Sequence, residues 1–351
     1  MSLFQSAVRK HQGGSVLILT LWALLFLSTL ASILGMRIRS DIALLSRVEK
    51  RGRLALMATS GVRKAMVLVS HDVDLNSGYT VQGKMLRHNN ENTFKNIRLQ
   101  QGESCEVNYA QPETPSPEPR LFYGMADEER KINLNKTDLN TLVSLFQGSF
   151  GWDTEKARKL AAAIIDWRIF GESELKGFYS EDYYENLEYP YPPKKADFEN
   201  MDELLLVEGI DGGLLRLLSS IVTVYGDGKI NINTASYPVL VASGFSDFLA
   251  GNIIALRRGP DGMEATGDDF IFLNAGDLAS QLKEFAKIKP EEEAAINEIV
   301  ARGKIGTNSS YYRIRSEAAL DNNRMHGVIT CIFNAKNRQI ESWKERYEVS
   351  D

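Results

Sequence analysis

Residues 14–35 constrain this chain more than any other stretch. A glycine is followed by Val16-Leu17-Ile18-Leu19-Thr20-Leu21-Trp22 and an apolar run that meets no charge until Arg37. At ~1.5 Å per residue the run makes a rod of roughly 30 Å, the thickness of a bilayer's hydrocarbon core. It is a candidate membrane-spanning helix, and the remainder must fold beside such a rod.

The setting of the run is uncommon. A short polar leader with Arg9, Lys10 and His11 ends in Gln12-Gly13-Gly14, and the apolar residues begin at once. A secretory signal has a shorter apolar core of ~7–15 residues with small residues on its far side. Here the small residues come first. That order resembles a type IV prepilin leader, cut between Gly14 and Ser15 by a prepilin peptidase on the cytoplasmic side, so that the helix stays on the mature protein. The alternative is an uncleaved anchor.

The chain has 351 residues, 43% hydrophobic and 25% charged, enough for two or so folded domains with a real core. Its 41 basic residues are outnumbered by 46 acidic ones, and loss of the leader would remove Arg9 and Lys10 and no acid. A net acidic body argues against phosphate-backbone binding as its main work.

Beyond residue 35 the hydrophobicity becomes periodic. Ile38, Ile42, Leu45, Val48, Ala55, Thr59, Val62, Met66 and Val69 recur three, four or seven apart, with arginines and lysines on the other faces. No proline interrupts residues 16–69, which predicts one continuous helix of ~80 Å, weakened at most by Gly52 and Gly61. Its first half would lie in lipid; its second half would cover a sheet and meet partners.

Strict alternation over 104–109 predicts a half-buried strand, followed by a connector with Pro112, Pro115, Pro117 and Pro119. Alternation returns at 311–315, 327–333 and 340–349 as a three-stranded meander. Strands at both ends predict one sheet-bearing domain interrupted by an insertion. Cys105 and Cys331 both fall on apolar strand faces, where they are either bridged or two buried thiols.

The middle, 131–303, is helical and self-similar. Lys131-Ile-Asn-Leu-Asn135-Lys-Thr137 is echoed by Lys229-Ile-Asn-Ile-Asn233-Thr-Ala235, and each copy closes in an apolar helix ending Trp167-Arg168 or Leu256-Arg257. Asp138 and Ser236 are expected N-caps. The pattern resembles helix-hairpin-helix units, with a third hairpin near 203–210. Such units often bind DNA through hairpin amides. A membrane-anchored nucleic-acid receptor is therefore the competing function. The hairpins here carry Gly151-Trp152-Asp153, Gly209-Ile210-Asp211 and Gly244-Phe245-Ser246-Asp247, placing carboxylates where phosphate would lie, so the repeats read as a scaffold and no nucleic acid is expected.

No catalytic constellation is present: the four histidines form no HExxH, and GxSxG and GxGxxG are absent. Two acidic clusters carry the oxygen ligands that calcium takes, Asp166 with Glu181 and Asp182, and Asp261 with Asp268 and Asp269.

Taken together, these residues resemble the K-type minor pseudopilins of the type II (general) secretion pathway. The resemblance runs through Gly14-Ser-Val-Leu-Ile-Leu-Thr-Leu-Trp22, Ile132-Asn-Leu-Asn135, Ile165-Asp-Trp-Arg168, Ser180-Glu-Asp-Tyr-Tyr184, Tyr191-Pro-Pro-Lys-Lys-Ala-Asp-Phe198, Glu203-Leu-Leu-Leu-Val-Glu-Gly209 and Thr266-Gly-Asp-Asp269. It departs at Ile169 and Phe170, where the family often has acidic residues near its calcium sites.

The resemblance implies an α+β, type IV pilin-like fold, a long N-terminal helix on a small antiparallel sheet, with a large inserted all-α domain. The expected segments are a leader at 1–14, a membrane half-helix at 15–36, pilin-like residues 37–126, the insertion at 127–305 and C-terminal strands at 306–351. It also implies a non-enzymatic protein held once in the bacterial inner membrane with its body in the periplasm. The partners would be I-type and J-type minor pseudopilins, the major pseudopilin and the prepilin peptidase. Most pilins carry a glutamate at the fifth mature position to offset a neighbour's buried N-terminal amine. Cleavage after Gly14 makes that residue Leu19, which suits a subunit at a filament tip with nothing above it.

Overall fold

The computed structural model describes residues 13–74, 89–111, 120–169, 181–320 and 324–349. The chain divides into two compact units, Met1–Leu54 and Ala55–Asp351.

The described part of the first unit is helix α1, Gly13–Asp74, which continues into the second. From Val16 to Val48 its apolar side chains are exposed, Leu17 at 72% and Leu19 at 69%. The hydroxyls among them are satisfied within the helix. Thr20 donates to the Leu17 carbonyl at 2.9 Å, Ser28 to Leu25 at 3.0 Å, Thr29 to Phe26 at 2.8 Å and Ser32 to Ser28 at 2.9 Å. A helix with apolar sides and self-satisfied polar groups is what hydrocarbon permits. The stretch is long and apolar enough to cross a membrane, with mean hydropathy 2.3 over its best window.

In the second unit the chain runs through α2 (Glu91–Phe94), β1 (Ile97–Arg98), β2 (Ser104–Gln111), β3 (Arg120–Tyr123) and β4 (Ala126–Asp127). It returns as β9 (Tyr311–Leu320), β10 (Met325–Asn334) and β11 (Gln339–Val349). These strands form one antiparallel sheet in the order β1-β2-β9-β10-β11, with β3 beside β2 and β4 beside β9. The expected meander is present, and strands from both sides of the insertion pair directly, Val107 opposite Ser316 and Cys105 opposite Ala318.

Alternation places Ile314, Ser316 and Ala318 of β9 and Ile329 and Cys331 of β10 in the core. Met57, Ala58, Val62, Ala65 and Val69 of α1 are buried with them. The stripe expected along α1 therefore divides. Val62 and Val69 are core, whereas Ile38, Ile42, Leu45 and Val48 are exposed.

Gly61 has a specific reason to be glycine. A Cβ there would lie 2.3 Å from Ser316 Oγ and 3.1 Å from Cys105 Sγ, whereas one on Gly52 would meet nothing within 4 Å. Gly61→Ala is expected to destabilise the fold by ~1–3 kcal/mol through overpacking, despite the better helix former. Gly52→Ala should instead stabilise by up to ~1 kcal/mol. Opposite shifts in melting temperature would establish the contrast; equal shifts would refute it.

The cysteine alternatives are resolved against a bridge. Both thiols are free and buried. Strand β9 lies between them, with Cys105 opposite Ala318 and Cys331 opposite Ile314. Two strand spacings and four residues of offset separate their Cα atoms by about 16 Å, where a disulfide needs less than ~7 Å. Burial raises both thiols, Cys331 to about 12, so neither is a reactive thiolate near neutrality.

Between β4 and β9 lies the insertion: β5 (Ile132–Asn133), α3 (Leu139–Phe150), α4 (Thr154–Arg168), α5 (Glu181–Glu185), α6 (Gly212–Leu218), β6 (Val222–Thr223), β7 (Ile230–Asn231), α7 (Tyr237–Ala242), α8 (Asp247–Arg257), α9 (Leu278–Ala286), α10 (Pro290–Ala301) and β8 (Ile305–Gly306). It shares one hydrophobic core, including Leu142, Phe146, Ile164, Leu240, Ile253 and Phe272. The two sequence copies are two copies of one structure. In each, the Ile-Asn strand pairs in parallel with the strand that ends the copy, β5 with β6 and β7 with β8.

Candidate functional site

Both copies are stapled by the same residues. Asn135 accepts from the Phe198 amide at 2.8 Å and donates to the carbonyls of Phe198 at 2.9 Å and Val224 at 3.2 Å. Asn233 does the same with the Phe272 amide at 2.8 Å and the carbonyls of Phe272 at 2.9 Å and Thr307 at 3.0 Å. The closing arginines match as well. Arg168 donates to the Leu134 and Thr137 carbonyls, and Arg257 to those of Ile232 and Ala235. The sequence repeat points to Asn135 and Asn233, but only the fold shows which backbone they hold.

The hairpins do not present a phosphate cradle. Each has a left-handed glycine, Gly151, Gly209 or Gly244, followed two residues later by the cap of the next helix. Asp153 accepts from the Lys156 amide at 2.8 Å, Asp211 from Leu214 at 2.7 Å and Ser246 from Leu249 at 3.3 Å. The helix N-termini are thus occupied by the chain's own oxygens. In the third case Ser246 is the cap and Asp247 is already helical. Of the expected first-helix caps, Asp138 accepts from Thr141, whereas Ser236 holds the N-cap position without a side-chain bond.

The insertion joins the sheet through three consecutive carboxylates, Asp127, Glu128 and Glu129, exposed by only 2%, 0% and 7%. Asp127 accepts from Asn231 Nδ2 at 2.9 Å and from Thr234 Oγ1. Glu128 accepts from Thr223 Oγ1 at 2.8 Å and pairs with Lys131 at 3.0 Å and with Arg313 of β9 at 2.8 Å. Glu129 accepts from the Ser310 amide, where the chain re-enters the sheet. Every bond here crosses or closes the junction.

Burial would raise Glu128, but Arg313, Lys131 and Thr223 overcome it and hold the carboxyl at about 2. Burial and then Asp127 push Glu129 up to about 7. Lys131 is pushed down to about 7 by burial and Arg313, against its attraction to Glu128. The partners thus disagree: Glu128 is held charged while Lys131 is driven towards neutrality. The Glu128 direction governs, because a second cation, Arg313, lies 2.8 Å from the carboxylate and Thr223 adds a donor.

The residues expected to hold calcium are not brought together among those described. Asp166 is buried at 8%, while the side chains of Glu181 and Asp182, and all of Phe170, lie outside the described residues. Tyr184 turns inward against Trp167, ring centroids 5.6 Å apart. Asp268 and Asp269 share a loop whose own groups engage them: Thr266 Oγ1 donates to Asp268 at 2.7 Å, the Asp261 amide to Asp268 at 3.1 Å and the Ala265 amide to Asp269 at 2.7 Å. Among the described residues no three carboxylates, histidines or cysteines gather as metal ligands. Gly14 and Ser15 lie in the first turn of α1, and Leu19 stands exposed one turn further on.

An apolar stem continuing into a helix packed on an antiparallel sheet, with a duplicated helical insertion, defines a pilin-like fold whose stem suits a membrane anchor. Residues 127–227 match the family model described as type II secretion system (T2SS), protein K. Among solved structures, a chain of the GspK-GspI-GspJ complex from the enterotoxigenic Escherichia coli type 2 secretion system aligns with a TM-score of 0.54 at 14% identity, covering 88% of this chain and 99% of that one. Comparison with curated proteins finds no match. The insertion thus carries the similarity to the type II secretion system protein K family, and the fold of the chain is that of the aligned structure.

Proposed function

We propose that this protein caps and initiates the periplasmic pseudopilus, working as a structural subunit with I-type and J-type minor pseudopilins to support export across the outer membrane. The observation that carries the proposal is the insertion between β4 and β9, pinned to the sheet by Asp127, Glu128 and Glu129. Filament subunits pack their sheet bodies side by side, and a body carrying a domain larger than its own sheet has room only at an end. Leu19 agrees: with cleavage after Gly14 it offers no carboxylate to an amine above it. The structural neighbour was solved as a GspK-GspI-GspJ complex, which supports I-type and J-type partners here.

The test is co-purification of the part from residue 36 onward with its I-type and J-type counterparts. A stoichiometric ternary complex at micromolar concentration is expected; recovery of the three proteins apart would reject the tip assignment. Mass spectrometry of the mature N-terminus with and without a prepilin peptidase tests Ser15 as the first residue.

A further inference from the structure

The uncharged run ends at Arg37, and Arg39 follows two residues later; both are exposed on α1. Residues 16–36 span ~31 Å as a helix, so Arg37 stands at the edge of the hydrocarbon and Arg39 only ~3 Å beyond it. Both side chains are long enough to reach lipid phosphates, and ~200° of helix rotation between them sends each to a different lipid. Arg47 stands ~15 Å above Arg37, beyond the ~8 Å over which charge acts at physiological salt.

Flank charge makes the placement significant. Arg9 and Lys10 lie just before the run, whereas Arg37, Arg39, Arg47, Lys50, Arg51 and Arg53 follow it, against Asp41 and Glu49. The more basic flank is ordinarily the one kept in the cytoplasm. A basic flank on the exported side works against insertion, so its use must lie on that side.

We propose that Arg37 and Arg39 form a collar that binds the phosphates of anionic phospholipids at the membrane face from which the body emerges, holding the subunit there before assembly. The proposal rests on the single-pass membrane reading. Guanidinium groups suit it, because they stay charged and bond phosphate through two parallel N–H donors.

The test uses the full chain in phosphatidylcholine vesicles, with spin-labelled phosphatidylglycerol or spin-labelled phosphatidylcholine as probe. The fraction of each probe immobilised at the protein gives the lipid preference. The wild-type chain should prefer phosphatidylglycerol, by up to about fivefold per arginine, and less at high salt. Arg37→Gln with Arg39→Gln should bring the preference close to parity. Parity in the wild type, or an unchanged preference in the double variant, would overturn the proposal. So would a variant that keeps the preference but loses its partner pseudopilins, which would assign the arginines to protein contact. If neither probe is immobilised, the membrane reading fails and the collar with it, a result distinct from loss of preference alone.

Discussion

Glu128→Ala should destabilise the Ala55–Asp351 unit by about 3–5 kcal/mol, the cost of breaking a buried ion pair from one side. The carboxylate is fully buried, and its removal leaves Lys131, 4% exposed, without its 3.0 Å partner and Arg313 without its 2.8 Å partner. Glu128→Gln separates charge from shape: one acceptor oxygen remains, while the charge facing Lys131 and Arg313 is lost. Adding Lys131→Met to Glu128→Ala should recover part of the loss, because a double-mutant cycle removes the stranded charge with its cause. Urea unfolding followed by circular dichroism measures all three, and a loss below ~1 kcal/mol for Glu128→Ala would mean that water or a rearranged side chain replaces the carboxylate.

The same junction sets a pH dependence with two limbs. Glu128 has a folded value of about 2, below its ordinary 4.5, so its contribution is whole above pH 4.5 and lost as pH falls towards 2. Glu129 is the reverse. Its folded value of about 7 lies above 4.5, so the folded state holds that proton more tightly, and the contribution is whole below pH 4.5 and lost as pH rises through 7. Each limb is worth up to about 3 kcal/mol. Glu129→Gln should flatten the limb between pH 4.5 and 7 and leave the acid limb intact.

How much of this was legible in the sequence follows from what each feature does to hydropathy. The stem, the split sheet and the duplicated insertion announce themselves through uncharged length, period-two alternation and a recurring Ile-Asn-x-Asn. The junction does not. Asp127, Glu128 and Glu129 look like a solvated acidic turn, and only the positions of Arg313, Lys131, Asn231, Thr234 and Ser310 make them buried. Gly61 reads as a helix weakness until Ser316 and Cys105 are set against it. The cysteines share an apolar sheet face as their alternation predicts, but strand order decides whether they can meet, and β9 between them is not encoded locally. The periodic stripe of α1 misleads in another way, since one periodicity serves both the core at Val62 and Val69 and an exposed surface at Ile38 and Ile42.

Asn233→Ala should rank beside Glu128→Ala, at about 3–5 kcal/mol, although asparagine to alanine is a modest change at a surface. Asn233 is 6% exposed, and its loss strands the Phe272 amide and the carbonyls of Phe272 and Thr307 in the interior. A buried backbone group that loses its partner costs about 1–3 kcal/mol. Asn233→Asp keeps the acceptor for Phe272 but turns two donor contacts into repulsion, so it should cost at least as much as alanine. Asn135→Ala removes the matching bonds at Phe198 and Val224 from a half-buried position, where water can take over some of them, and should cost less. Amide exchange localises the effect: protection should fall at Phe272 in the first variant and at Phe198 in the second. Equal costs would show that the two copies are held by their shared core rather than by their asparagines. An Asn233 loss as large as predicted would make one side chain the link between β7, the acidic loop that ends at Phe272 and the chain's return to the sheet past Thr307.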